Sequence, residues 1–485
     1  MGNRQKPAVR VPGRRAVTAR RSRSAKRIGR QARRMVRRVV RALRRTLARF
    51  ETEVCGAYIR HRRAEMLQRL DRQLPCLKEA LDERAVARLF EQQWPHLNGG
   101  SDAGLAIRRC RLARAAYEPA LRCRSIYDLT VQKPGLPACQ TIGVVECVGK
   151  GMSLRLFNDD PDLPWLAFAV DANIMRDRFA SVLDSADGGT PERCAVVPVL
   201  YHPGKRCVMR YDVHTPQGMQ TFLGKILRTG SDRLAGVIGE LYDLSLGTIG
   251  MPSIPPILAH WPDLHMVVMY QVRGLPAEQY LFDMSASEAG RLRWMRDLGR
   301  QLATFHHCVH LQVPRRVLHE RLRLIRGRAA LIAALDRDLA TDYAQLVARI
   351  ENVADSVLGR ALVVSHGSFN LRHVLLRGRR AYWMALDGVC SANPAWDVGS
   401  LLACMDRSRL RRPDPAPWIE RGKDAFLSGY RERGEDLDRQ AVALCHATFL
   451  LDYAQRSVHT LRVLTKPHMP RQLIDAAAQV LDSLR

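Results

Sequence analysis

The stretch from Ser365 to Leu402, SHGSFNLRHVLLRGRRAYWMALDGVCSANPAWDVGSLL, constrains the fold of this chain more than any other. A short apolar strand precedes His366 and is followed by a tight polar turn. A second strand is expected over His373–Arg377 and a third over Ala381–Asp387, with the Asp387 carboxylate at its tip and a helix beginning around Pro394. Short loops that deliver polar groups to the ends of adjacent strands suit metal and phosphate chemistry. The rest of the chain is expected to be scaffold for this turn.

A length of 485 residues suggests two to three domains, and 46% apolar residues provide for a core. The formal net charge is +29, but residues 1–50 carry 19 Arg and Lys and no Asp or Glu, leaving 58 basic against 48 acidic residues elsewhere. Residues 1–31 read as a disordered basic tail. Over 33–50, Val36, Val39, Val40, Leu43, Leu47 and Phe50 share one helical face and arginines the other. Such a helix can dock on a polyanion or an anionic membrane surface, or pack with its arginines solvated. Without interleaved aromatics, specific nucleic-acid recognition is not expected. The 12 cysteines form no CxxC pair and no zinc spacing, so they are read as thiols in a reducing compartment. No run approaches a membrane span or signal-peptide core. The expected location is cytoplasmic, with the arm providing for a peripheral place at a membrane.

Residues 51–190 read as an extension, helical to about 118 with a break at Asn98–Ser101, then strand-rich from about Ile126. Thr141–Val148 and Met152–Phe157 form a hairpin, followed by a helix at Ala172–Leu183. In 191–275 the order is three strands (Ala195–Tyr201, Arg206–Val213, Met219–Leu227), a helix at Ser231–Leu246 with a Ser or Asp cap, and two strands (Ile254–Ala259, His265–Gln271). Residues 276–485 have helical periods around the opening stretch.

This order and its residues resemble the aminoglycoside phosphotransferase and choline-kinase-like phosphotransferase family, over roughly 190–410. The resemblance implies an α+β, bilobal protein-kinase-like fold, with a small antiparallel-sheet N-lobe and a mostly helical C-lobe. It implies that Lys225 in FLGKILR holds nucleotide phosphates and pairs Glu240 in VIGELYDL. The turn His202–Arg206 would cover the phosphates through Gly204 and Lys205 or Arg206. Met269 and Gln271 would lie in the hinge that meets adenine. In the family's catalytic loop His-Gly-Asp precedes Asn by five positions. Here His366 and Gly367 match as loop brace, Ser368 stands at the aspartate position, and His373 at the metal-ligating asparagine position. Asp387 matches the metal-binding aspartate, and Asp397 in NPAWDV matches the aspartate that braces the loop. His306 and His307 are read as packing residues.

The implied cofactors are ATP, or another purine nucleotide, and Mg²⁺ or Mn²⁺. The implied partner is a small-molecule acceptor with no identifying motif. A serine hydroxyl is no base at neutral pH, and general-base positioning is worth roughly 10²–10⁴-fold. Imidazole is a poor ligand for hard Mg²⁺ and a better one for Mn²⁺. The leading expectation is a nucleotide-binding member of the family with impaired transfer. The alternatives are an active kinase of a sugar, amino-alcohol or aminoglycoside-like hydroxyl, and a scaffold docked through the basic arm.

Overall fold

A computed structural model describes residues 64–485, except 71, 73, 98–104, 136, 184–188, 284, 359–361, 379, 413–417, 434–436 and 485. The basic arm, residues 1–50, and its expected polyanion or membrane docking lie outside the described residues.

The extension begins with α1 (Glu83–Leu97), whose Val86, Phe90 and Trp94 form one buried face. It continues into an antiparallel sheet, ordered β1 (Ala106–Glu118), β2 (Arg122–Gln132), β3 (Cys139–Val148) and β4 (Gly151–Leu156). The helical reading of 98–118 is therefore wrong from Ala106 onward. Register breaks at Ile107/Arg109 and Leu112/Arg114 interrupt the two-residue alternation. Alanine-rich β1 also has helical propensity, which eleven cross-strand pairings with β2 override. Cys76 and Cys147 form a disulfide that ties the segment before α1 to β3, unlike the free thiols expected.

The N-lobe sheet follows α2 (Ala172–Ala180), which Asp171 caps by accepting from the Asn173 and Ile174 amides. Its strands are β5 (Arg193–His202), β6 (Arg206–Thr215), β7 (Gly218–Leu227), β8 (Ile257–Trp261) and β9 (Met266–Tyr270), in the order β5-β6-β7-β9-β8. Helix α3 (Ser231–Gly247) lies between β7 and β8, as the sequence pattern predicts. It opens from Gly230 at φ +82° with no side-chain cap, so the expected Ser or Asp cap is not made. Strict alternation along β6 buries Cys207, Met209, Tyr211 and Val213, and Phe179 of α2 stacks on Phe222 at 5.1 Å beneath them.

A segment through β10 (Leu275–Pro276) leads to α4 (Glu288–Cys308), α5 (Leu318–Gly327) and α6 (Arg337–Leu358). Four short strands then form the loop-bearing insert: β11 (Val363–Ser365), β12 (Val374–Arg377), β13 (Arg380–Trp383) and β14 (Cys390–Ala392). Helices α7 (Ala395–Arg411), α8 (Trp418–Arg431), α9 (Arg439–His459) and α10 (Met469–Asp482) complete the C-lobe. One face of the extension sheet shares a core with α5, α6, α9 and α10, while Ile126, Ile142 and Val144 of its other face pack with the N-lobe sheet. The extension sheet thus packs on both lobes, which also meet each other directly through α3 and α4. No helix among the described residues is long and apolar enough to cross a membrane.

Candidate active site

The loop after β11 is held by the first turn of α7. Asp397 is fully buried and accepts from the backbone N–H of His366 at 2.6 Å and of Gly367 at 2.9 Å. His306, near the end of α4, meets the same carboxylate at 3.3 Å and Tyr430 at 2.8 Å. The Trp396 indole N–H and Arg316 both donate to the Gly367 carbonyl. Gly367 sits at φ +77°, and a Cβ there would lie 1.9 Å from the Gly388 oxygen, so only glycine lets these two loops meet. His366 is buried and donates from Nε2 to the Met384 carbonyl at 2.9 Å, and burial holds its pKa down.

Asp387 lies in the 3₁₀ turn Leu386–Gly388, after a left-handed Ala385. One carboxylate oxygen takes the Lys225 ammonium at 2.6 Å and the other the Arg206 guanidinium. Burial alone would raise the carboxyl pKa, but Lys225 and Arg206 outweigh it and hold it below the usual range. Burial also lowers the Lys225 pKa, against the pull of Asp387. The expected Lys225–Glu240 pair is not formed. Glu240 lies on the exposed side of α3, while Leu234 and Ile238 of that helix share a narrow apolar cleft with Lys225. The helical period that buries Leu234, Val237, Ile238 and Leu241 turns Glu240 away.

His373 Nδ1 lies 2.9 Å from the Ser368 carbonyl and 3.0 Å from the Asn370 side-chain NH₂. Asn370 donates to the same carbonyl at 2.8 Å and accepts from the Arg372 amide through its side-chain oxygen. Burial first, then the neighbouring His366, pushes the His373 pKa down to about 3, leaving the ring neutral. No cluster of three metal-ligating side chains occurs among the described residues. Asp387 and His373 line the same cavity.

The turn between β5 and β6 is committed elsewhere. The Gly204 amide donates to Asp160 at 2.7 Å, and Lys205 is exposed. It is Arg206, one residue on, that reaches the site. Met269 and Gln271 flank Tyr270, where the chain leaves β9 for β10; Met269 lines the cleft beside Lys225, and the Gln271 amide donates to the Thr221 carbonyl at 3.2 Å.

Ser368, His373, Arg206 and Asp387 open onto a cavity of about 780 Å³ between the extension sheet, the β5–β6 turn and helices α5, α7 and α9. Its arginines on β1, α7 and α9 were invisible as site residues in the sequence, because no motif marks them and only the fold gathers them.

Residues 211–437 match the model of the phosphotransferase enzyme family. No curated protein matches the chain. Among solved structures, a choline kinase from Cryptosporidium parvum Iowa II is similar at 11% identity over 64% of this chain and 96% of that one, with a TM-score of 0.46. A glucosamine kinase in complex with glucosamine, ADP and inorganic phosphate is 15% identical over 80% and 99% of the two chains, with a TM-score of 0.43. The macrolide 2'-phosphotransferase MphH from Brachybacterium faecium is 13% identical over 61% and 98%, with a TM-score of 0.39. Strand order and the braced loop agree with this match, so residues 211–437 are similar to the phosphotransferase enzyme family.

Proposed function

We infer that this protein binds a purine nucleotide in the manner of its family and transfers the phosphoryl group slowly or not at all. The observation that carries this reading is the pairing of Ser368 at the base position with an Asp387 carboxylate bonded on both oxygens by Lys225 and Arg206. Lys225 and Arg206 are placed to hold nucleotide phosphates. Asp387 would hold Mg²⁺ or Mn²⁺, with His373 Nε2 as a second ligand better suited to Mn²⁺. The metal supplies charge neutralisation of the phosphates when bound. Of the other carboxylates facing the cavity, Asp452 is bonded to Arg321 and Arg456, and Asp128 to Arg111. Among the described residues lining the cavity, no unpaired carboxylate stands in for the missing aspartate.

Thermal-shift titration with ATP and either metal tests the binding half. A shift in wild type that Lys225→Ala abolishes is expected, and no shift with either metal refutes it. Steady-state ATP turnover tests the other half. Ser368→Asp is expected to raise it, by up to roughly 10²–10⁴-fold. Wild-type turnover that Ser368→Asp fails to increase refutes impairment. That outcome would favour the active-kinase reading, which the roomy cavity beside Ser368 supports.

A further inference from the structure

The cavity beside Ser368 has an unbalanced charge. Eight arginines and three aspartates line it. All three carboxylates are already bonded to arginine or lysine. Four of the arginines have no carboxylate partner among the described residues. Arg114 of β1 lies against the His202 ring at 2.6 Å, and Arg316 donates to the Gly367 carbonyl. Arg407 of α7 lies over the Tyr453 ring at 4.0 Å, and Arg462, just beyond α9, has no ion pair.

These groups converge from three parts of the fold: the extension sheet, α7 and the end of α9. They are like charges brought together. The Arg462 pKa falls to about 10, through desolvation first and then through Arg411, Arg407, Arg372 and Arg114. Guanidinium groups present fixed forks of donors that match the oxygens of phosphate. A cationic amine would be repelled by the same wall. A wall with more arginines than carboxylates around a ligand-sized space is most simply explained by an anionic occupant.

The geometry points to a phosphate-bearing ligand for this cavity, held by Arg114, Arg407 and Arg462 on the acceptor side of the site. The assignment rests on the kinase-like reading proposed above, in which Lys225 and the hinge lie on the nucleotide side. It narrows the acceptor to a phosphorylated molecule and excludes amino sugars and amino alcohols.

The test uses the full chain carrying Lys225→Ala, so that the nucleotide side is disabled. Fructose 1,6-bisphosphate, short-chain dihexanoyl phosphatidic acid, glucosamine and choline are titrated calorimetrically at low and high salt. Saturable binding of one or both phosphate compounds is expected, weakened at high salt and at least tenfold weaker with Arg462→Gln or Arg114→Gln. Binding of the sugar phosphate alone identifies a soluble ligand, and of the phosphatidic acid alone a lipid headgroup. Circular dichroism establishes that the variants fold, and Arg462→Glu supplies a stronger charge change. Binding of glucosamine or choline in preference, no binding of either phosphate compound, or phosphate binding that these variants leave intact overturns the inference. ATP binding in the chain with Lys225 intact reads the nucleotide side separately, so either idea can fail while the other stands.

Discussion

Replacing Asp397 with asparagine tests how the site is held. The wild-type carboxylate is fully buried and accepts two backbone N–H bonds, from His366 and Gly367. Bonds to a charged acceptor are worth about 1.5–3 kcal/mol each, and a buried donor left unpaired costs about 1–3 kcal/mol. An asparagine keeps one acceptor oxygen and turns an NH₂ toward the other donor, so at least one bond is lost and one amide orphaned. The local opening free energy of the loop should fall by roughly 2–4 kcal/mol, which is about 30- to 900-fold in amide protection at 1.36 kcal/mol per decade. Hydrogen exchange read by mass spectrometry on a peptide spanning 363–371 measures this, with β6 as the internal reference. A change below about threefold in the loop, or an equal change in β6, would refute the idea that Asp397 acts locally on this turn.

Three further outcomes are expected. His202 and His373 have folded pKa values pushed down to about 3 from an ordinary 6.5. The unfolded chain therefore binds more protons as the pH falls, so their contribution is complete above pH 6.5 and is lost progressively from there toward 3. Urea midpoints between pH 7.5 and 5 should fall, and His373→Asn should flatten that slope. Gly299→Ala places a Cβ 2.1 Å from the Phe426 carbonyl, where α4 and α8 meet backbone to backbone, and should cost at least ~2 kcal/mol in urea unfolding. Gly236→Ala, in α3 with nothing within 4 Å, should instead gain about 0.5–1 kcal/mol. Arg206→Gln should free one Asp387 oxygen, tightening Mn²⁺ binding measured by electron paramagnetic resonance without nucleotide, while weakening ATP binding in the thermal-shift assay.

The N-lobe sheet was legible because β6 and β7 alternate cleanly and their turns carry Gly204 and Gly218 at positive φ. The brace was legible because NPAWDV carries its aspartate on the first turn of a helix that packs under the loop. Two things were not. β1 hides its alternation behind two register breaks and a run of alanine and arginine, so only its pairing with β2 declares it a strand. The partner of Lys225 was also beyond the sequence. Spacing places Glu240 on the correct helix, but the choice between Glu240 and Asp387 depends on how α3 is rotated over the sheet. Leu234, Val237, Ile238 and Leu241 set that rotation by taking the buried face.

The loop keeps its shape without the groups that would make it a strong catalyst. The Ser368 carbonyl accepts from Asn370 and lies 2.9 Å from His373 Nδ1, and the His366 and Gly367 amides are fixed by Asp397. None of these bonds uses the side chain at position 368, so an aspartate there is not needed to build the turn. The positive charge that a metal would bring to Asp387 is met in this structure by Lys225 and Arg206. On the function proposed above, a metal entering at Asp387 would compete with these two cations. A cation displaced in this way would be free to meet phosphate oxygens. Metal and nucleotide would then be linked through Asp387, each easing the other's entry, beside a cavity lined by further arginines.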